Sequence, residues 1–150
     1  MVTKKTEAAD LLTDIVVLVF RLEGGFIEAA EKISAPAGLT AARWKVLGAV
    51  LHESRTVAEI GRNMGLARQS VQRLADVLVS EGLAVYEENP AHRSAKLFVP
   101  TRAGRAAIER LRERQAAWAN AVSKGLSAKT LSECKATLAE LIAHVEGSHL

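Results

Sequence analysis

The sequence has few of the residues that cross-link a small protein or fill its core with large rings. It contains one cysteine, Cys134, three prolines and an aromatic content of only 4%. A single cysteine excludes a disulfide framework and a metal-binding cysteine pair within one chain. Because 49% of the residues are apolar, the core must consist mostly of Ala, Leu and Val, a mixture that favours helices. We expect residues 1–150 to form a single domain that folds without cross-links.

The charge of the chain is small but unevenly distributed. A net charge of +3 and a pI of about 9.2 permit a nucleic-acid partner without requiring one. Between residues 55 and 75, however, four arginines accompany one acidic residue, Glu59, which gives a local charge of +3. These arginines are Arg55, Arg62, Arg68 and Arg73.

No apolar run has the features of a signal peptide or a membrane span. Lys4 and Lys5 precede the apolar residues 11–20, but Asp14 interrupts the run and no small-residue cleavage site follows it. We therefore expect this run to lie on a helix that packs against protein. The expected compartment is the cytosol, with no membrane contact.

Apolar helices are predicted at both ends of the chain. The first spans about residues 5–33, and Gly24 and Gly25 predict a bend or break in it, since each costs about 1 kcal/mol relative to Ala. Residues 102–146 form two helices separated at Gly125. The apolar faces of these terminal helices are longer than a single terminal helix needs to pack on its own chain. They therefore predict that the terminal helices pair with a second copy in a homodimer. The stripe of the last helix comprises Leu131, Cys134, Leu138, Leu141, Ile142 and Val145.

The middle of the chain, about residues 38–100, begins with helices that have clear starting signals. Thr40 is a good N-cap for the first. Thr56 and Glu59 have the spacing of a capping box, which predicts the start of a second, short helix. A turn at residues 63–65 leads into a third helix.

The third helix is followed by a β-hairpin. It spans about residues 67–80 and ends before Gly82. Two half-apolar runs, residues 83–87 and 95–99, flank a loop at residues 88–94 that is rich in turn formers. The predicted fold is mainly α with a small β-hairpin wing: a winged helix-turn-helix lobe flanked by N- and C-terminal dimerisation helices.

The third helix carries residue types that bind DNA bases. Arg binds guanine and Gln binds adenine through two hydrogen bonds, each pair giving about 1–3 kcal/mol of discrimination. A polar helix face is also typical of any solvated helix, but here the helix follows a capped short helix and precedes a wing. This order predicts double-stranded DNA as the partner. With Val71 in the core, the polar face comprises Gln69, Arg73, Gln72, Ser70 and, near its rim, Arg68.

The chain resembles the MarR family of multiple-antibiotic-resistance regulators over nearly its whole length. The resemblance implies a winged-helix homodimer that binds a palindrome, most often as a repressor released by a small phenolic or lipophilic ligand or by cysteine oxidation. The matching segments are LTAARWKVL at 39–47, TVAEIGRNMGLARQSVQRL at 56–74, EGLAVY at 81–86, NP at 89–90 and TRAGR at 101–105.

Four positions depart from the family pattern, one of them Pro100, where the family usually has the Leu of a Leu-Thr pair after the wing. The family's wing usually carries Asp-x-Arg, where this chain has His92 and Ser94 with Arg93 between them, and its third helix usually starts at Ser rather than Ala67. We therefore expect Arg93 and Lys96 to contact phosphates rather than the minor groove. The predicted assignment is base reading by Gln69, Gln72 and Arg73 and positioning contacts by Thr56, Arg68 and Arg93. Ser70 and Lys96 complete the set of predicted DNA contacts.

Family resemblance also implies a ligand pocket between the dimer helices and the winged lobe, near Arg43, Trp44 and His52. Packing or a helix-end role is the alternative for Trp44 and His52, and Arg43 can equally pair with a carboxylate. For Cys134, on the apolar stripe, we expect a small buried hydrophobe rather than an exposed redox sensor.

Catalytic and metal-binding patterns are not found. The sequence has no nucleophile elbow, phosphate loop or paired histidine–carboxylate cluster, and its histidines are scattered. We expect no enzymatic activity, cofactor or metal. The favoured hypothesis is a dimeric, ligand-responsive DNA-binding regulator; the alternative is a protein-interaction module on the same fold with weak or lost DNA reading. The histidines are His52, His92, His144 and His149.

Overall fold

A computed structural model describes residues 3–148, so His149 lies outside the described part. The chain is mainly helical with one small sheet, which confirms the predicted fold class. The elements are α1 (Glu7–Ser34), a 3-10 turn (Ala35–Ala37), α2 (Ala41–Gly48), β1 (Arg55–Thr56), α3 (Val57–Met64), α4 (Arg68–Ser80), β2 (Ala84–Glu87), β3 (Leu97–Pro100), α5 (Arg102–Ser123) and α6 (Ala128–Gly147).

The chain consists of two compact units, and the boundary between them lies within α5, between Glu113 and Arg114. The first unit holds α1 to β3 and the first half of α5, and the second holds the rest of α5 and α6. The elements from α2 to β3 lie within the predicted lobe at residues 38–100. Their core is formed by side chains that are fully buried: Val46, Leu47, Ile60, Val71, Leu78 and Phe98.

Capping side chains fix where α2 begins. Thr40 accepts a hydrogen bond from the backbone N–H of Arg43 (3.2 Å), as the sequence predicts. Glu31, near the end of α1, accepts another from the backbone N–H of Ala41 (3.0 Å). The first N–H groups of a helix have no partner inside it, so both bonds satisfy the start of α2, and the bond from Glu31 also joins the end of α1 to it.

The sheet has three antiparallel strands in the order β1-β3-β2. The predicted hairpin of β2 and β3 is confirmed, with Val85 opposite Val99. β1 was not predicted, because two residues have no readable periodicity. It pairs Arg55 with Phe98 and Thr56 with Leu97, and so places the start of α3 beside the wing.

α1 continues through Gly24 and Gly25, so the predicted break is absent. Helix propagation over 28 residues outweighs a propensity cost of about 1 kcal/mol at each glycine. The turn between α3 and α4 is confirmed, with Gly65 in the left-handed conformation (φ +63°) that glycine adopts without steric cost.

Apolar side chains remain exposed on both terminal helices of the single chain. Cys134 is also exposed in the single chain, so it is not buried in the chain's own core. Its predicted burial then depends on the second copy that the stripe of α6 is expected to meet. The exposed apolar residues are Leu11, Leu12, Val16, Val17, Leu18, Val19, Phe20, Leu22, Phe26 and Ile27 on α1, and Leu131, Leu138, Ile142 and Val145 on α6.

None of the helices between residues 3 and 148 is both long enough and apolar enough to cross a lipid bilayer.

The start of α5 packs directly on the backbone that precedes β2. Thr101 Oγ1 donates to the carbonyl of Gly82 (2.7 Å), and the backbone N–H of Thr101 donates to the carbonyl of Leu83 (3.0 Å). The same hydroxyl oxygen caps α5 by accepting from the N–H of Gly104 (3.1 Å). A Cβ at Gly104 would lie 2.0 Å from the carbonyl oxygen of Leu83, so only glycine fits there.

Gly104→Ala is therefore expected to destabilise the protein by about 1–3 kcal/mol, the usual cost of overpacking. The clashing atom belongs to the backbone and cannot move aside as a flexible side chain can. Gly48→Ala is the matched control, because nothing lies within 4 Å of a Cβ at that helical position. Urea unfolding measures both variants, and a Gly104→Ala midpoint equal to that of the wild type would contradict the clash.

Ala67→Ser is expected to stabilise the protein by about 0.5–2 kcal/mol. Ala67 is the N-cap of α4 and has the extended backbone of a capping residue, but it offers no side-chain acceptor to the first turn. Thermal unfolding compares this variant with Ala67→Val, which also lacks an acceptor. Equal melting temperatures for the two variants would show that capping is not the cause.

Candidate nucleic-acid interface

α3 starts at the capping box that the sequence predicts. Thr56 Oγ1 accepts from the N–H of Glu59 (3.2 Å), and Glu59 Oε2 accepts from the N–H of Thr56 (2.7 Å). The hydrogen bond from the Thr56 backbone holds the pKa of Glu59 below its ordinary value of 4.5. The ionised carboxylate lies at the positive end of the helix dipole, which stabilises it further.

α4 presents a polar face opposite its buried stripe. Gln69 and Arg73 are exposed and Ser70 is half-buried, as the helical periodicity requires once Val71 is buried. Within residues 3–148, neither Arg68 nor Arg73 forms an ion pair. Both guanidinium groups are therefore available to an external acceptor.

A cleft of about 220 Å³ lies between the first turns of α3 and α4 and the wing. It brings together four predicted contact residues, Thr56, Arg68, Gln72 and Lys96. Gln69, Ser70, Arg73 and Arg93 are not part of its lining. Two cationic side chains and a hydroxyl around one cleft form a site suited to an anion such as a phosphate.

The side chain of Gln72 is hydrogen-bonded to other side chains of the same chain. Its Nε2 donates to Asp76 Oδ1 (2.9 Å) and to Tyr86 Oη (2.9 Å), and Tyr86 Oη donates to Asp76 Oδ1 (2.5 Å). The hydrogen bonds from Tyr86 and then Gln72 lower the pKa of Asp76, while burial and the Asp76 carboxylate raise the pKa of Tyr86. Sequence reasoning did not identify Asp76 or Tyr86; the available signal was the i, i+4 spacing of Gln72 and Asp76.

The wing loop carries its charges in solvent. His92, Arg93 and Lys96 are all exposed. Asn89 Oδ1 accepts from the N–H of Ala91 (3.0 Å), which closes an Asx turn at the start of the loop. The exposed Arg93 and Lys96 side chains therefore project from a locally ordered loop.

The predicted ligand residues have different environments. Arg43 pairs with Glu81 (Nη1–Oε1 2.6 Å), and its side chain is only 19% exposed, so the alternative of a carboxylate partner is the one observed. This ion pair joins α2 to the C-terminal end of α4. Trp44 is half-buried, and His52 is exposed in the loop after α2. In the part of the chain that is described, no three His, Cys, Asp or Glu residues are grouped as metal ligands.

Sequence comparison identifies relatives over most of the chain. Residues 37–93 match the model of the MarR family. An uncharacterized protein of Mycobacterium tuberculosis is 34% identical over 134 residues, which cover 89% of this chain and 94% of the relative.

Solved structures with the same fold include regulators with bound DNA or ligand. CouR of Rhodococcus jostii RHA1, bound to p-coumaroyl-CoA, is 26% identical with a TM-score of 0.76, over 85% of this chain and 91% of CouR. A mutant MarR of E. coli complexed with operator DNA shares the fold, with 20% identity and a TM-score of 0.76 over 91% of this chain and 99% of that one. The chain belongs to the MarR family of winged-helix transcription regulators, which bind DNA.

Proposed function

We propose that this protein is a homodimeric repressor that binds a palindromic operator through α4 and the wing and releases it when a small ligand binds. The observation that carries the proposal is the face of α4. Gln69 and Arg73 are exposed there, opposite a fully buried stripe, and Arg73 has no ion-pair partner among residues 3–148. An arginine and a glutamine on one exposed helix face can each form two hydrogen bonds to a base.

The contacts to DNA divide into two classes. In the proposed complex Arg73 reads a guanine and Gln69 an adenine in the major groove. The remaining polar groups bind phosphates, which fixes the register of α4 without reading sequence. These groups are Thr56, Arg68, Ser70, Arg93 and Lys96, of which Thr56, Arg68 and Lys96 line the cleft.

The homodimer is supported by the exposed apolar side chains of α1 and α6. On α1 they include Phe20 and Leu18, which are 68% and 63% exposed. Extended apolar surfaces of this kind are typical of protein–protein interfaces. A two-fold dimer also explains a palindromic site, because its two copies of α4 enter successive major grooves about 34 Å apart.

Release by a ligand is supported by CouR, whose structure contains p-coumaroyl-CoA. A ligand releases DNA only if it binds more tightly to a dimer whose α4 helices no longer match the groove spacing. We propose a lipophilic or phenolic ligand near Trp44 and His52. An anionic group at Arg43 must compete with Glu81, which already occupies the guanidinium.

Arg73→Ala and Arg93→Ala are expected to weaken operator binding in different ways. Arg73→Ala removes about 1–3 kcal/mol of discrimination at one base pair, because a bidentate base contact is lost. Arg93→Ala weakens binding to all duplexes alike and reduces the salt slope by about 1, because a phosphate contact is lost. Selection of bound duplexes from a random pool, followed by affinities at several salt concentrations, measures both effects.

Arg110→Ala is the control for this pair, since it removes the same charge from α5. The proposal fails if the wild type enriches no palindrome. It also fails if neither Arg73→Ala nor Arg93→Ala differs from Arg110→Ala. A chain that enriches no duplex but binds a heteromeric protein partner would instead support the interaction-module alternative.

Phe20→Glu is expected to convert the dimer into a folded monomer. Phe20 is 68% exposed in the single chain, so a charge there does not disturb the monomer core but is buried unpaired in the proposed interface. Val77→Glu is the matched control, since Val77 is 42% exposed on α4 rather than on a terminal helix. Analytical ultracentrifugation measures the mass of each variant, and a dimeric Phe20→Glu protein would exclude α1 from the interface.

A further inference from the structure

We propose that Gln72 does not read a base but forms, with Asp76 and Tyr86, a polar clasp that holds the wing against α4. The clasp is this triangle of three side chains, two on α4 and one on β2. Its role in binding rests on the proposed DNA-binding function, whereas its existence as a coupled unit does not.

The donors and acceptors of the clasp allow only one set of hydrogen-bond directions. An ionised Asp76 carboxylate can only accept, so the Tyr86 hydroxyl must donate its single hydrogen to it. That hydroxyl can then only accept from Gln72. Both neighbours of the Gln72 amide are therefore acceptors, which fixes its NH₂ group toward them. The low pKa of Asp76 is consistent with this ionised state.

This arrangement removes Gln72 from bidentate adenine recognition. A glutamine that reads adenine donates one amide hydrogen to N7 and accepts from N6. Both Nε2 hydrogens of Gln72 are already used, one for Asp76 and one for Tyr86. A base could gain Gln72 as a donor only by breaking a bond of the clasp. Gln69, which is exposed, is therefore the glutamine of α4 that remains available for bidentate recognition of adenine.

The clasp instead determines where the wing lies. Tyr86 pairs with Phe98 across the hairpin, and their ring centroids are 6.0 Å apart. Phe98 is fully buried, so β3 is anchored on the core while the hydroxyl of Tyr86 reaches α4. Gln72 and Tyr86 line the same cleft as Lys96, which directly precedes β3. Breaking the clasp therefore frees β2, and with it the wing loop that carries Lys96, to move relative to α4, while Phe98 keeps β3 on the core.

Tyr86→Phe and Gln72→Ala test the clasp in the complex with DNA. Tyr86→Phe keeps the ring beside Phe98 and removes only the hydroxyl. Each variant is expected to weaken binding to every duplex about tenfold, to lower the salt slope by about 1 and to leave the base preferences unchanged, because one phosphate contact is lost. The double variant is expected to bind no more weakly than either single variant.

Gln69→Ala is the matched control, since it removes the same amide from an exposed position one turn earlier on α4. It is expected to change the preferred base at one position of the operator. The proposal is overturned if Gln72→Ala also changes a base preference, or if Tyr86→Phe leaves the affinity and salt slope unchanged.

The clasp is tested without DNA by a double-mutant cycle in urea. The losses of stability in Gln72→Ala and Tyr86→Phe are expected not to add in the double variant, because both remove the same unit. Additive losses overturn the clasp whatever happens with DNA. A wild-type protein that selects no duplex overturns the proposed function and the role of the clasp in binding, while a non-additive cycle still supports the clasp as a structural unit.

Discussion

The orientation of the polar face of α4 depends on the burial of its opposite face. Val71, Ala75 and Leu78 are completely buried, and each large apolar side chain contributes about 1.5–3 kcal/mol when it leaves water. Rotating the helix to hide Gln69 or Arg73 would expose this stripe. The burial of this stripe, worth several kcal/mol, thus determines where Gln69 and Arg73 point, although neither side chain takes part in it.

Polar links then fix α4 against its neighbours. The Arg43–Glu81 ion pair joins its C-terminal end to α2, and the hydrogen bonds of Gln72 join its middle to β2. The carboxylate of Glu81 lies at the negative end of the helix dipole, which is unfavourable by itself. Arg43 offsets that cost and, at the same time, selects one position for the end of the helix. Burial determines the rotation of α4, and these links restrict its remaining movements.

The features that the sequence predicts correctly are local ones. The caps at Thr40 and Thr56 and the turn at Gly65 depend on residues within a few positions of one another, and the hairpin joins two strands that are consecutive in the chain. The ion pair of Arg43 spans 38 residues and the bond from Gln72 to Tyr86 spans 14, so their partners become known only when elements pack together. The apolar faces of α1 and α6, with Cys134 on the latter, are predicted from helical spacing and lie exposed in the single chain, because periodicity identifies a stripe but not the surface that covers it.

Gly104 makes the contact between the start of α5 and the backbone before β2 rigid. Its Cα lies against the backbone before β2 with no side chain between them, and hydrogen bonds from Thr101 close the same contact. Densely packed backbone has low compressibility, and no side chain lies in this contact that could change its rotamer to accommodate a movement. A displacement of the first turn of α5 would therefore push directly on the backbone at Leu83, next to β2.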